Sequence, residues 1–154
     1  MTPEARLAEL GIELPPAPGP KGLYRPLVLA GTLAYTSGHL PMAADGLLVT
    51  GRLGAELDEQ AGYAAARLTG LSILATLRNE LGSLDRVRRV VKLFGLVNST
   101  PDFTTQPAVI NGASELFAEV FGRDAGIGAR SAVGAASLPL GAAVEIEAVV
   151  EIEA

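Results

Sequence analysis

The clearest pattern along the chain is an alternation of apolar and acidic residues near the C-terminus. In the segment 143–153 the even positions are apolar, and from 145 to 151 the odd positions carry glutamate except at Val149. The two sets are Val144, Ile146, Ala148, Val150 and Ile152 against Glu145, Glu147 and Glu151. Successive side chains of a strand point to opposite faces, so this alternation predicts a strand. We expect its apolar face to meet helices and its acidic face to meet solvent or another subunit.

Two longer segments have the periodicity of helices. From Asp58 to Leu81 leucines recur at positions 68, 71, 74, 77 and 81, and Gly82 follows where a helix would stop. The second helix is predicted over about 107–121, ending at Gly122. These two helices are the only long ones that the pattern predicts.

The N-terminal residues 1–22 predict a short helix followed by an arm. Thr2 is a suitable N-cap, and Gly11 ends the helix predicted over 3–10. The arm, 14-LPPAPGPKG-22, is rich in proline and glycine and unsuited to helix or strand.

Four further strands complete the prediction. The segment 41–55 is expected to be a loop or a small hairpin, and the segment 99–107 a loop. The strands are expected over 24–31, 33–38, 85–98 and 129–138. The resulting order, β-β-α-β-α-β-β, predicts a single α+β domain over residues 1–154, with two long helices on one face of a mixed sheet. Because only two long helices are available, we expect another subunit to cover the opposite face.

Composition narrows the possible functions. The chain has 154 residues, no cysteine, a single histidine and a net charge of −5. It therefore has no disulfide, no thiol nucleophile and no metal site that needs two histidines. Nucleic acid is an unlikely partner for so acidic a chain. No apolar run is long enough to span a membrane and the N-terminus does not resemble a secretory signal, so a cytoplasmic location is expected.

The candidate chemistry involves a single cation among small residues. Arg130 lies in 128-GARSAVG-134, and Glu145 follows after the turn LPLG. Strands joined by a short turn lie about 5 Å apart, so we expect these two residues to face one another. The pair either binds a carboxylate ligand, with the glutamate holding water or moving a proton, or forms an ordinary cross-strand salt bridge.

Two other features of the sequence are candidate signals of a functional site. Ser37 lacks the G-x-S-x-G context of a serine hydrolase, so His39 is interpreted as an ordinary hydrogen-bonded side chain rather than as part of a triad. Asn111 and Gly112 are both unfavourable inside a helix. They mark either the close approach of another backbone or a ligand, or a helix that simply tolerates two unfavourable residues.

Taken together, these motifs resemble the reactive intermediate deaminase (Rid) family, also called YjgF-type or "endoribonuclease L-PSP" proteins. The resemblance covers roughly residues 20–153. It rests on GPKGLY ending at Tyr24, TSGHLP at 36–41, Asn111, ARSAV around Arg130, and LP…AAVEIEAVV through Glu145. The length and the loop 99–107 are similar to the longer YjgF/chorismate mutase-like branch of the family.

The resemblance implies a chorismate-mutase-like fold of the bacillus type and a homotrimer with clefts between subunits. It further implies hydrolysis of small 2-imino or enamino acids to 2-keto acids and ammonia, with no metal or cofactor. Arg130 would bind the substrate carboxylate and Glu145 would position water. The other residues implied at the site are Tyr24, Ser37, Gly38, His39, Asn111 and Ala132.

Two positions depart from the family, and of these His39, together with the loop 99–107, bears on substrate identity. Many deaminating members have cysteine where Ala132 stands and glutamine where His39 stands.

An alternative function is a trimer that binds small carboxylates as a sensor without turnover. Endoribonuclease activity, suggested by the older family name, is less favoured because of the acidic charge.

Overall fold

The structure, a computed structural model, describes all residues from 1 to 154. The elements in chain order are α1 (Pro3–Leu10), β1 (Leu27–Ala30), β2 (Leu33–Thr36), α2 (Glu59–Leu81), β3 (Val87–Asn98), α3 (Gln106–Phe121), α4 (Arg123–Gly126), β4 (Ala129–Ala135) and β5 (Val144–Ile152). The predicted α+β order is confirmed. The additions are α4, a single helical turn between α3 and β4, and two 3₁₀ turns, Leu84–Arg86 and Pro139–Gly141.

Several element ends are set by residues that the sequence analysis singled out. Thr2 and Asp58 cap α1 and α2 by accepting hydrogen bonds from backbone N–H groups in the first turn. Gly82 ends α2 in the left-handed conformation. The first strand begins later than predicted because Pro26 supplies no backbone donor, which leaves Tyr24 outside β1.

The five strands form one mixed sheet in the order β1-β2-β5-β3-β4. Strand β5 lies in the centre, antiparallel to both β2 and β3, whereas β4 is parallel to β3. The β3–α3–β4 unit is therefore a parallel crossover in which the helix connects neighbouring strands. The strands β1 and β4 form the two edges.

The expectation that the last two strands are neighbours is wrong. Strand β3 lies between β4 and β5, and it pairs with both. The connection 136–143 contains a 3₁₀ turn, Pro139–Gly141, and is not a tight hairpin. Its eight residues reach about 26 Å when extended, enough to cross one strand at about 5 Å spacing. A long connection of this kind does not fix which strands pair.

Helices α2 and α3 cover one face of the sheet, as predicted. The even positions of β5 are all buried against them, with Val144, Ile146 and Val150 fully inaccessible. No helix covers the opposite face, here called the open face, which carries Phe94, Leu96, Glu145, Glu147, Val149, Tyr35 and Val133. Its apolar side chains are only partly covered, and Tyr35 and Val133 remain exposed.

The short helix α1 is held to the C-terminal end of α2. The Glu4 carboxylate accepts hydrogen bonds from the Arg78 guanidinium at 2.5 and 3.1 Å and from Leu84 N–H at 2.9 Å. The bond to Arg78 lowers the pKa of Glu4 below its usual value, and partial burial opposes this effect.

None of the helices combines the length and the hydrophobicity that a membrane-spanning helix requires.

The two long helices approach each other closely at glycines. A Cβ at Gly112 would lie 2.1 Å from the backbone oxygen of Tyr63, and one at Gly62 would lie 3.0 Å from a methyl of Val109. Gly112 therefore marks the close approach of another backbone, one of the two interpretations that the sequence left open. Its neighbour Asn111 is brought to the edge of the α2–α3 interface, where it faces β4.

We expect Gly112→Ala to destabilise the fold by about 2 kcal/mol or more, because the added methyl must displace a backbone rather than a side chain. The free energy of unfolding from denaturant titration measures this effect. Gly19→Ala is the control: its Cβ would meet nothing within 4 Å, and its φ is not in the left-handed region. Equal stability of the two variants would contradict the helix contact described above.

Candidate functional site

Arg130 lies on the edge strand β4 and faces helix α3. It is in register with Leu93, whose side chain is buried on the helix side of the sheet. Its Nη1 donates to Asn111 Oδ1 at 2.7 Å and to Ser114 Oγ at 3.1 Å. The two acceptors are three residues apart on α3 and therefore share one face of that helix. Arg130 and Asn111, both predicted from the sequence, are thus brought together.

The positive charge of Arg130 has no acidic partner in the chain. The only ion pairs within 4 Å are Arg67–Glu119 and Arg78–Glu4, so the predicted alternative of an Arg130–Glu145 salt bridge is not formed. The two bonds from Nη1 go to neutral oxygens, and three of the five guanidinium N–H donors, on Nε and Nη2, have no acceptor in the protein. A half-buried cation held in this way retains its capacity to bind an anion.

Ser114 is a site residue that the sequence analysis missed. Its hydroxyl lies beside the same guanidinium nitrogen that Asn111 contacts. The signal was present: Ser114 follows Asn111 by three positions, and such residues lie on the same helix face. Ala132, two residues after Arg130, faces the same side of β4 and packs against the core.

Glu145 lies on the open face, in a depression of about 200 Å³ lined by Gly38, Phe94, Leu96 and Glu147. A Cβ at Gly38 would lie only 2.9 Å from the carboxyl carbon of Glu145, so the missing side chain makes room for that carboxyl group. Burial raises the pKa of Glu145 above its usual 4.5, and the negative charge of Glu147 raises it further. The depression therefore holds a carboxyl group that keeps its proton more strongly than an exposed glutamate.

Tyr24 and Ser37 lie at the same end of the sheet as Gly38. Ser37 Oγ donates to the carbonyl of Arg25 at 2.6 Å, and Ser37 N–H donates to Pro26 O at 2.9 Å. Both bonds fix the start of β1 beside the end of β2. Tyr24 is half exposed, and its hydroxyl accepts a bond from Lys21 N–H at 3.2 Å.

The side chain of His39 does not face the depression. It is 4% exposed, and its ring lies on the helix side, between the Ser37 carbonyl and Thr76 of α2. The interpretation of His39 as a hydrogen-bonded side chain near a strand end matches this position. The place at the site that the resemblance implies for His39 stays a prediction, and the ring and Glu145 lie on opposite sides of the sheet.

The two candidate groups, Arg130 and Glu145, also lie on opposite faces. Arg130 is in register with Leu93 on the helix side, whereas Glu145 is in register with Leu96 on the open face. The prediction that they face one another within the chain is therefore wrong. The structure has two half-sites: an arginine half-site of Arg130, Asn111 and Ser114, and a glutamate half-site of Glu145, Gly38, Phe94 and Leu96.

A larger and more open hollow, about 490 Å³, lies between the segment 54–58 and Phe103. None of the predicted site residues lines it. No three His, Asp or Glu side chains converge as ligands for a metal ion anywhere in the chain.

Comparison with known proteins identifies the family. The model of the family described as "YjgF/chorismate mutase-like, putative endoribonuclease" matches residues 4–152. The chain belongs to this family. It is also 49% identical over 128 residues to Protein TCP17 of Trypanosoma cruzi, covering 83% of this chain and 80% of that protein.

Solved structures of Rid/YjgF proteins have the same fold. Atu1372 of Agrobacterium tumefaciens, a protein of unknown function, is 46% identical, with a TM-score of 0.88 over 99% of this chain and 93% of its own. A "putative endoribonuclease" of Shewanella oneidensis is 34% identical, with a TM-score of 0.93 over 99% of this chain and 100% of its own. RidA of an Antarctic Psychrobacter is 28% identical, with a TM-score of 0.61 over 88% of this chain and 94% of its own. Family and chorismate-mutase-like fold, both predicted from the motifs, are confirmed.

Replacing Glu147 with glutamine is expected to lower the pKa of Glu145, because a neighbouring negative charge disfavours a second one. The pKa should stay above 4.5, since burial is the larger cause. A raised pKa in the folded state means that the contribution of Glu145 to stability falls as pH rises through it. Carboxyl ¹³C titration by NMR measures the shift.

Glu151→Gln is the control for this titration, because Glu151 lies on the same strand and face but outside the depression. It should leave the pKa of Glu145 nearly unchanged. An equal effect of both variants, or no effect of Glu147→Gln, would contradict the electrostatic coupling.

Proposed function

We propose that this Rid/YjgF protein hydrolyses small 2-imino acids to 2-keto acids and ammonia, without a cofactor, at clefts between copies of the chain. The observation that carries the proposal is the unpaired guanidinium of Arg130, half-buried and held by two neutral oxygens. The similarity to RidA of Psychrobacter adds support from the family. The two half-sites of the chain support the proposal more directly.

Arg130 is the carboxylate-binding group in this proposal. Its free Nε and Nη2 donors form one edge of a planar fork, which matches both oxygens of a carboxylate. Asn111 and Ser114 fix the opposite side through Nη1, so little side-chain entropy is lost when the ligand binds. Strand β4 is an edge strand, and its outward backbone groups are available beside the guanidinium.

Glu145 is the general acid and base in this proposal: it accepts a proton from the attacking water and later returns it. Water adds to the C2 atom of the protonated imine as Glu145 takes one of its protons, giving a carbinolamine. Return of that proton to nitrogen lets the C–N bond break with its electron pair going to nitrogen. The carbinolamine hydroxyl gives its proton to the Glu145 carboxylate in the same step, so ammonia leaves and the 2-keto acid forms. An enamine first takes a proton at C3 to become the imine. Burial raises the pKa of the Glu145 carboxyl group, and a carboxyl group that holds its proton more strongly can both take and return a proton.

The placement of the half-sites supports a proposal for the assembly. A single chain holds Arg130 and Glu145 on opposite faces, so a complete site requires the β4 edge of one copy beside the open face of the next. Such a contact between different surfaces is heterologous and closes into a ring. We propose the homotrimer that the family resemblance implies. The partly covered Phe94 and Leu96 and the exposed Tyr35 and Val133 provide apolar area for the contact.

Ribonuclease activity is the second function that the family description suggests, and the glutamate half-site argues against it. Glu145 and Glu147 lie in one depression, and the chain has a net charge of −5. A phosphodiester would meet repulsion there, whereas an iminium or ammonium group would be attracted.

Arg130→Ala is expected to reduce the enzyme-catalysed rate of 2-iminopropionate hydrolysis by roughly 10²-fold or more, through loss of substrate orientation. The imine can be generated in place by an amino acid oxidase, and the spontaneous rate subtracted. Arg67→Ala, which removes a surface ion pair on the outer side of the helices, is the control and should keep full activity.

Equal rates for wild type and Arg130→Ala would reject the deaminase. Calorimetric binding of pyruvate by wild type and not by Arg130→Ala, with no accelerated hydrolysis, would instead favour the sensor. Binding by neither protein would exclude both functions.

A further inference from the structure

The single histidine of the chain connects the core to the glutamate half-site. His39 Nδ1 lies 2.7 Å from the Ser37 carbonyl oxygen, and Nε2 lies 2.7 Å from Thr76 Oγ1. Both partners are well placed, and Thr76 is 1% exposed in the middle of α2. The backbone of His39 also exchanges two hydrogen bonds with Ile146, the residue after Glu145. His39 is thus fixed from its ring and from its backbone.

These contacts determine the tautomer of the ring. A carbonyl oxygen only accepts, so Nδ1 must carry the proton that is donated to Ser37. Nε2 of the neutral ring then accepts from the Thr76 hydroxyl. Burial lowers the pKa of His39 below its usual 6.5, and the bond to Ser37 opposes this only in part. Both ring nitrogens thus have a partner that suits a neutral ring protonated at Nδ1.

The direction of the Ser37–Gly38 peptide follows from the same bond. The chain has no cis peptide, and in a trans peptide the C=O and N–H groups point in opposite directions. Because the Ser37 carbonyl points towards the ring on the helix side, the Gly38 N–H points towards the open face. That N–H donates to no group in the chain, and a Cβ at Gly38 would lie 2.9 Å from the carboxyl carbon of Glu145.

We infer that His39 is a positioning residue: as the Nδ1–H tautomer held by Thr76, it turns the Ser37–Gly38 peptide so that the Gly38 N–H faces the Glu145 depression as a free donor. The inference rests on the proposed function only for the catalytic role of that donor. A fixed N–H beside Glu145 suits an oxygen that becomes negative as water adds to C2. Glycine at 38 is required because a side chain there would displace the carboxyl group of Glu145.

The tautomer is tested without any assay of activity. One histidine gives one pair of imidazole ¹⁵N resonances, so the spectrum of wild type at pH 7 reports His39 alone. We expect the pattern of a neutral ring protonated at Nδ1. An Nε2–H tautomer or an imidazolium would overturn the inference.

Thr76→Val tests the connection to Gly38, with Thr76→Ser as the matched control that keeps the hydroxyl. We expect Thr76→Val to shift the Gly38 amide resonance and to lower kcat/KM for the imine roughly tenfold, mainly through kcat, whereas Thr76→Ser retains both. An unchanged Gly38 amide in Thr76→Val would overturn the inference, as would equal losses in the two variants.

The measurements distinguish failure of the proposed function from failure of the positioning role of His39. If wild type hydrolyses no imine, the tautomer and the Gly38 amide still report the positioning role. If Arg130→Ala loses activity while Thr76→Val keeps it, the deaminase stands and the role of His39 does not. Should Thr76→Val fail to fold, the ring spectrum of wild type decides the matter.

Discussion

The strict alternation of side chains along β-strands is the constraint on which the account depends. It places Arg130 with Leu93 on the helix side and Glu145 with Leu96 on the open face, and one intervening strand fixes both registers. A slip of one residue in either pairing would move a catalytic candidate to the other face. Since no side-chain rotation passes through a sheet, the two groups can meet only across a boundary between two chains. Such a boundary would place the unpaired guanidinium, on the edge strand of one chain, against the open face of another.

Both half-sites carry features that are unfavourable for the isolated chain. The charge of Arg130 lacks an acidic partner, the pKa of Glu145 is raised by burial, and apolar side chains of the open face are exposed. Stability comes from elsewhere, mainly from the close α2–α3 contact at Gly62 and Gly112 and from the buried face of β5. Features that cost stability often coincide with function, because binding or assembly supplies the missing partner.

The sequence predicted local structure well and strand pairing poorly, for a physical reason. Alternation in β5, the leucine spacing of α2 and the cap at Thr2 are local signals, and each was confirmed. Which strands are neighbours depends on long connections, and the eight residues between β4 and β5 allow more than one answer. Motif resemblance gave the family and fold. Ser114 and Thr76 were missed because their roles depend on a partner in another element, and His39 proved to face the core.

Subunit complementation tests the central claim most directly. Arg130→Ala and Glu145→Gln chains, each inactive alone, are mixed in equal amounts, unfolded together, refolded and assayed for imine hydrolysis, with mass spectrometry to confirm mixed assemblies. If each site takes its arginine from one chain and its glutamate from the next, random mixing leaves about a quarter of the sites intact, and that share of wild-type activity returns. If both residues acted from the same chain, every site would lack one of them, and a mixture as inactive as its components would contradict the account.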